Sequence, residues 1–592
     1  MTHNSKGPLA GSQPAHASHL RGGPGGSQPG RRSARRGPVN RYFSPFRRFR
    51  QVPLACWLGA LLAAGLPPAA LAQAAPAASP TDSPAADPVM AVRAFQVEGN
   101  TLLDAGLLQA RLQPWIGQRS LAELRQAAQA VQAMYTQAGY GAVVAYLPPQ
   151  PVSDGTVRIA VVEGKVGRVT VQGSKRLSTE RLRAALPSLV EGSTPRVRRI
   201  DAELQMANEN PSRSVGVLLG PGAAPGEVEA TVKVDEHSVH HFSLGLDNSG
   251  NQRTGDYRLS LGWQHADLSG HDDVLNLQLQ TSPTESRAVK VLSAGYRLPL
   301  VRQLAALELF AAYSDVDGGS QALPGSGGDL RFSGKGRIVG ARSIWYLPRW
   351  GEYDQRLTTG LEYRAYLNDC GVNGLPNGAC GSAGQSVTVQ PVTLEYTAQT
   401  GGTAPALLSL ALAHNLGLGG QHSGAADFEA VRPGAARHYT VLRLNAQKAV
   451  PVFEDWQLAG RLSLQHSGDR LVPGEQFGLG GAGSVRGYQE RELSADKGLA
   501  ASVELVSPRL AWPGPALDLR WLVFADAGQI SNNGELVCRA LQSSCSLSSW
   551  GLGVRAAWGP AQLRLSLAQA QQDASTTLSG HWRAHLALSA SF

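Results

Sequence analysis

The sequence predicts a transmembrane β-barrel of about 16 antiparallel strands preceded by two small α+β modules. Three observations carry that prediction. From about residue 240 to Phe592, apolar and polar residues alternate with period two in segments near ten residues long. Residues 92–236 run twice through the order strand, helix, helix, strand, strand. Ahead of both, an arginine-rich start is followed by a short apolar run and small residues, the layout of an export signal.

The start also settles the charge. The 592 residues carry a formal net charge of +9, which by itself would suggest a nucleic-acid partner. Ten basic residues fall within residues 1–74, which hold no Asp or Glu; the remainder has 44 basic against 45 acidic residues, so no nucleic acid is expected. The apolar run 54–66 is too short to cross a hydrocarbon core of ~30 Å as a helix. Ala72-Gln73-Ala74 fits the small-x-small rule, predicting a signal peptide over 1–74 and a flexible Ala-, Pro- and Ser-rich leader over 75–91. No later segment reaches the ~18 consecutive apolar residues of a membrane helix, which excludes a helical membrane protein.

The first module, 92–164, is expected to open with a strand at 92–97 and a turn at Gly99-Asn100. A helix over 121–138 has Ser120 and Glu123 as a capping box, Gly139 as its stop, and Leu121, Leu124, Ala128, Val131 and Tyr135 on one face. Strands at 141–147 and 157–163 complete it. The second module, 165–236, repeats the plan with a strand at 166–171, a turn at Gly173-Ser174, helices at 177–186 and 197–207, and strands at 215–219 and 227–234.

Residues 237–592 hold the alternating segments. In the last, Trp582, Ala584, Leu586, Leu588, Ala590 and Phe592 share one face, with Arg583, His585, Ser589 and Ser591 on the other. In hydrocarbon every backbone amide must be paired, and a closed barrel is the one sheet that achieves this; its polar face then encloses a lumen.

Cys56 leaves with the signal, and the other four cysteines form two close pairs, Cys370 with Cys380 and Cys538 with Cys545, predicting two disulfide-closed loops. No metal, cofactor or catalytic group is expected. His237, His240 and His241 lie on an extended junction that would not gather three rings on one ion. Ser333-Gly334-Lys335-Gly336 lacks the glycine and hydroxyl of a phosphate loop.

Behind the glycine run 478–483 stands Val485-Arg486-Gly487-Tyr488, an arginine beside glycine in a chain of lipid-facing strands. This suggests a charged loop tip, around 478–491, held inside the barrel. Placing Leu519, Trp521, Val523 and Ala525 toward lipid puts Asp518, Arg520, Leu522, Phe524 and Asp526 on the lumen wall, where Asp526 can meet Arg486. In a wet interior that bond would supply modest energy while setting the loop's position.

Together these features resemble the outer-membrane transporters of two-partner secretion, the haemolysin secretion/activation proteins of the ShlB/FhaC/HecB type, over residues 92–592. Val485 to Tyr488 matches the family's loop motif, and Phe524, Asp526 and Gly528 match its Phe-x-Asp-x-Gly strand motif. Asn208, Asn210, Pro211 and Arg213 resemble a turn of its second POTRA domain. The resemblance implies periplasmic POTRA domains and a monomeric barrel in Gram-negative outer-membrane lipid. It further implies a large exported adhesin- or haemolysin-type partner, captured unfolded by strand addition and moved without ATP. Some members plug the pore with an N-terminal helix; Pro76, Pro80, Pro84 and Pro88 oppose one here, leaving gating to the loop. A barrel-assembly factor of the same superfamily is the alternative reading, though such factors carry more modules.

Overall fold

The computed structural model describes residues 89–151, 154–322, 329–372, 380–510, 517–534, 536–539 and 542–592. The expected signal peptide and most of the leader lie outside them.

The first module comprises β1 (Val89–Val92), β2 (Ala94–Glu98), α1 (Ala105–Leu112), β3 (Gly117–Ser120), α2 (Leu121–Gln137), β4 (Val143–Tyr146) and β5 (Thr156–Glu163). β5 lies between β2, to which it is parallel, and β4, while β1 pairs with β3 in a separate ribbon. The expected leader end and single strand at 92–97 are therefore corrected: the chain is already extended at Val89 and breaks at Arg93. There Gly155 O accepts from both Arg93 N (2.7 Å) and Ala94 N (3.4 Å). The Ser120–Glu123 capping box forms at the start of α2, whose apolar stripe buries Leu124, Val131 and Tyr135 against Leu108 and Ile159.

The second module comprises β6 (Lys165–Gln172), α3 (Thr179–Ala185), α4 (Val197–Ala207), β7 (Arg213–Pro221) and β8 (Glu227–Glu236), with β8 between parallel β6 and antiparallel β7. Helix α3 is shorter than the expected 177–186. Ser178 caps it by accepting from Arg181 N, and Leu186 precedes Pro187, which disfavours the helical region for the residue before it.

The repeat extends to single atoms. Gly99 (φ 82°) and Gly173 (φ 87°) follow equivalent strands, and a Cβ on either would sit 2.3 or 2.2 Å from the carbonyl oxygen of Val161 or Val234. In each module the glutamate ending the central strand caps the turn just past that glycine. Glu163 accepts from Thr101 N and Leu102 N at 2.8 and 2.9 Å, and Glu236 from Lys175 N and Leu177 N at 3.1 and 3.0 Å. Burial pushes the Glu236 carboxyl up, but the amides of Leu177, Lys175 and Arg176 outweigh it and hold the group at about 2.

The barrel strands are β9 (His240–Asp247), β10 (Arg258–Ala266), β11 (Val274–Thr281), β12 (Val289–Leu300), β13 (Ala305–Ala322), β14 (Asp329–Trp350) and β15 (Tyr353–Val372). They continue as β16 (Val387–Val389), β17 (Pro391–Thr400), β18 (Ala406–Asn415), β19 (Thr440–Pro451) and β20 (Gln457–His466). After a small hairpin of β21 (Phe477–Leu479) and β22 (Leu493–Ala495) come β23 (Lys497–Val506), β24 (Leu517–Ser531), β25 (Ser544–Trp558), β26 (Ala561–Ala570) and β27 (Trp582–Ser591). β16 and β17 both pair with β15 and form one stave interrupted at Gln390, so the closed antiparallel barrel has 16 staves. β27 closes on β9 through Ala587↔Asp247 to Ser591↔Ser243.

Alternation sorts the faces. Leu244, Leu292, Leu410, Leu552 and Leu588 are exposed toward lipid, and Trp350, Phe453, Trp558 and Phe592 ring the inner rim. β14, at 22 residues, is about twice the length needed to cross, so it projects beyond the outer rim with β13 and β15. The disulfides Cys370–Cys380 and Cys538–Cys545 both lie on that outer side. His240 packs on Trp263 and His265, and among the described residues no cluster could hold a metal.

Candidate functional site

The connection from β20 to β23 folds back into the barrel. Its hairpin arms pair from Phe477↔Ala495 to Leu479↔Leu493, and beyond them Gly480 (φ 110°) and Gly481 (φ 100°) adopt backbone angles that side chains resist. Ser484 Oγ accepts from Gly480 N at 2.8 Å and Gly481 N donates to Val485 O at 3.0 Å, closing a tight tip that presents Arg486 to the wall.

Arg486 meets Asp526 through three bonds: backbone N to Oδ2 at 3.0 Å, Nε to Oδ2 at 2.7 Å and Nη2 to Oδ1 at 2.7 Å. Nη1 donates to Glu504 Oε1 at 2.7 Å and Nη2 to Ser502 Oγ at 3.0 Å, while the guanidinium lies 3.4 Å from the ring centre of Phe524. Strand register explains the convergence, because Ser502 faces Asp526 and Glu504 faces Phe524 across β23 and β24. The expectation of a wet interior is corrected here: Arg486 is 5% and Asp526 2% exposed. Loop and wall together exclude water, so the pair is desolvated and its five bonds must offset that cost.

The neighbouring motif residues hold the tip. Gly487 (φ 92°) lets its N–H donate to His585 Nε2 at 2.9 Å, a bond that needs an unprotonated Nε2. Val485 is buried with Leu479, Ile530 and Leu547. The Tyr488 hydroxyl accepts from Gln572 N and lies 3.0 Å from Ser548 O. A Cβ on Gly528 would stand 2.3 Å from Leu479 Cδ1 and 3.0 Å from Leu499 O, so glycine is what lets the loop lie flat on β24. On the return arm Glu492 accepts from Thr576 N and Thr577 N, both at 2.7 Å, tying the loop to the β26–β27 connection.

The residues of the turn after α4 lie elsewhere, at the joint between the second module and the barrel. Asn208 braces β7 from within, accepting from Val215 N at 2.6 Å, and Asn210 Nδ2 donates to Asp272 O. Arg213 grips Asp272, which also receives Arg181 at 3.0 Å. Asp267 and Asp272 hold positive φ angles of 128° and 61°, a strained inner turn that presents both carboxylates to the module. Beside it Ala202 and Met206 of α4 pack on Ala306 and Tyr346, and Glu209 pairs with Arg297 and Arg356.

A sequence profile described as "Haemolysin secretion/activation protein ShlB/FhaC/HecB" matches residues 226–556, and one for the ShlB-type POTRA domain matches 90–164. The chain belongs to the ShlB/FhaC/HecB family. Among curated ShlB/FhaC/HecB relatives, "Heme/hemopexin transporter protein HuxB" of Haemophilus influenzae is 29% identical over 29% of this chain, and the chain spans 31% of its length. "Outer membrane transporter CdiB" of Dickeya dadantii is 24% identical over 78% of this chain and 79% of its own. Solved structures of CdiB from Escherichia coli (TM-score 0.72, 20% identity, 87% of this chain and 93% of that one) and from Acinetobacter baumannii (0.67, 18%, 91% and 97%) share the fold. As a ShlB/FhaC/HecB member the chain is an outer-membrane barrel with POTRA domains on the periplasmic side, and not an enzyme.

Sequence reasoning missed Ser502, Glu504, His585 and Glu492. Parity along β23 places Ser502 and Glu504 on the face opposite Leu499 and Val503, but nothing local says that a loop tip will reach them.

Proposed function

We propose that this barrel is a secretion pore for one large exported partner of adhesin or haemolysin type, which crosses unfolded while the loop bearing Arg486 moves aside. One observation carries the reading: the loop is held in the lumen by a desolvated Arg486–Asp526 pair whose arginine also reaches Glu504 on the wall. Apolar packing would hold a permanent plug at least as well, whereas ion pairs can be exchanged for other charges and re-form in one register. Recognition falls to the POTRA domains, where β4 and β7 are sheet edges, with Val144 and Tyr146 of β4 and Leu218 and Leu219 of β7 exposed. An unfolded segment can add there as a strand. Lacking a phosphate loop, the chain would draw its driving force from the partner folding outside, and one chain would form one pore.

The test is deletion of this gene in a host that also encodes a large repetitive exported protein. Retention of that protein inside the cell, with other barrel proteins at normal levels, is the expected outcome. General loss of barrel proteins would instead favour an assembly factor.

A further inference from the structure

The loop is also ion-paired to the wall at a place away from the tip, with the charges reversed. Glu475, on the arm descending from β20, is 1% exposed at its side chain and pairs with Arg364 of β15 at 2.9 Å and Arg443 of β19 at 3.1 Å. Tyr366 donates its hydroxyl to the same carboxylate at 2.9 Å, and Gln465 Nε2 donates to the Glu475 carbonyl at 3.0 Å. Arg364 is in turn held by Glu362 at 2.7 Å. The contact is close: a Cβ on neighbouring Gly474 would stand 2.4 Å from the Tyr366 ring.

This anchor shares no residue with the one at the tip. The tip puts a cation on β23 and β24, whereas Glu475 puts an anion on β15 and β19. Counting β9 as the first stave, β15 is the seventh and β24 the thirteenth, so the loop is held to different sectors of the wall. Breaking the tip contact alone would leave the descending arm fixed across the bore.

We propose that Glu475 is a second gate residue and that opening requires release of both anchors. The inference rests on the secretion-pore reading. A chain in transit can supply what each anchor loses, its carboxylates replacing Glu475 at Arg364 and Arg443 and its basic side chains replacing Arg486 at Asp526.

The experiment uses the full chain, purified and reconstituted in planar bilayers, as wild type, Glu475→Gln, Glu475→Asp, Arg486→Gln and the Glu475→Gln/Arg486→Gln double variant. Heat-modifiable migration in detergent gels verifies that each barrel is folded. We expect Glu475→Gln to raise the open fraction several-fold, Glu475→Asp to restore closure in part, and the double variant to approach the product of the two single effects, as independent anchors require. Hydrogen exchange should quicken at residues 473–479 in Glu475→Gln while the amides of 485–488 stay protected, a pattern general loosening would not produce. Folded Glu475→Gln barrels with wild-type current, beside an Arg486→Gln that opens, would overturn the second anchor alone. Absence of current from every variant, the double one included, would overturn the pore reading with it.

Discussion

Arg213 and Asp272 join the second α+β module to the first inner turn of the barrel by two parallel bonds, Nη1 to Oδ1 at 2.8 Å and Nη2 to Oδ2 at 2.9 Å. The arginine side chain is 2% exposed, and removing it takes two short bonds from a partly buried carboxylate that keeps only Arg181 as a charged partner. Arg213→Ala should weaken the joint by about 1–3 kcal/mol. Faster protease cleavage within 165–236 from the periplasmic side, with the barrel still heat-modifiable, is the expected result. Unchanged cleavage would show that α4 and Glu209 suffice.

Arg486→Lys keeps the charge but not the fork that reaches Asp526, Glu504 and Ser502 together. A single ammonium on a flexible stem should lose at least two of these bonds, loosening the tip by roughly 2–3 kcal/mol. Reduced partner secretion and a larger open fraction in bilayers are expected. Wild-type export by this variant would argue against a role for the geometry.

Gly528→Ala adds a methyl 3.0 Å from the backbone oxygen of Leu499, which cannot yield without moving β23. A cost of about 1–3 kcal/mol, taken up by lifting the Leu479–Val485 segment, follows from overpacking. Proteolysis at 478–491 in folded barrels should accelerate, while Gly534→Ala, an outer-loop change, serves as a comparison for general strain.

Glu236 lies well below the ordinary carboxylate range, at about 2 against 4.5. A depressed value contributes stability that is present above pH 4.5 and lost as pH falls toward 2. Glu163 is also depressed: burial opposes, but Thr101 and Leu102 prevail. Hydrogen exchange of 165–236, corrected for intrinsic rates, should show protection constant from pH 7 to 5 and falling below 4.5. Glu236→Gln should flatten that dependence, and an unaltered slope would exclude this carboxylate as its source.

Much of the architecture was legible because its signals are local. Alternation identified the lipid face that Leu588 and Trp521 present, and the Ser120–Glu123 box marked the start of α2 to the residue. Parity placed Asp526 on the lumen wall within reach of Arg486. The strand break at Arg93 was not legible, since it depends on a carbonyl at Gly155 far along the chain.

The sequence alone determined that a barrel must form, that two copies of one module precede it, and that a glycine-rich tip carries an arginine. Period, caps and positive-φ glycines act within a few residues, so they can be read without the fold. The tertiary structure decided what the charges meet. Glu475 lies 111 residues from Arg364, Arg486 lies 18 from Glu504, and Arg213 lies 59 from Asp272. Those pairings depend on stave register and on the path of a loop through the lumen, and both are set by closure of the whole barrel.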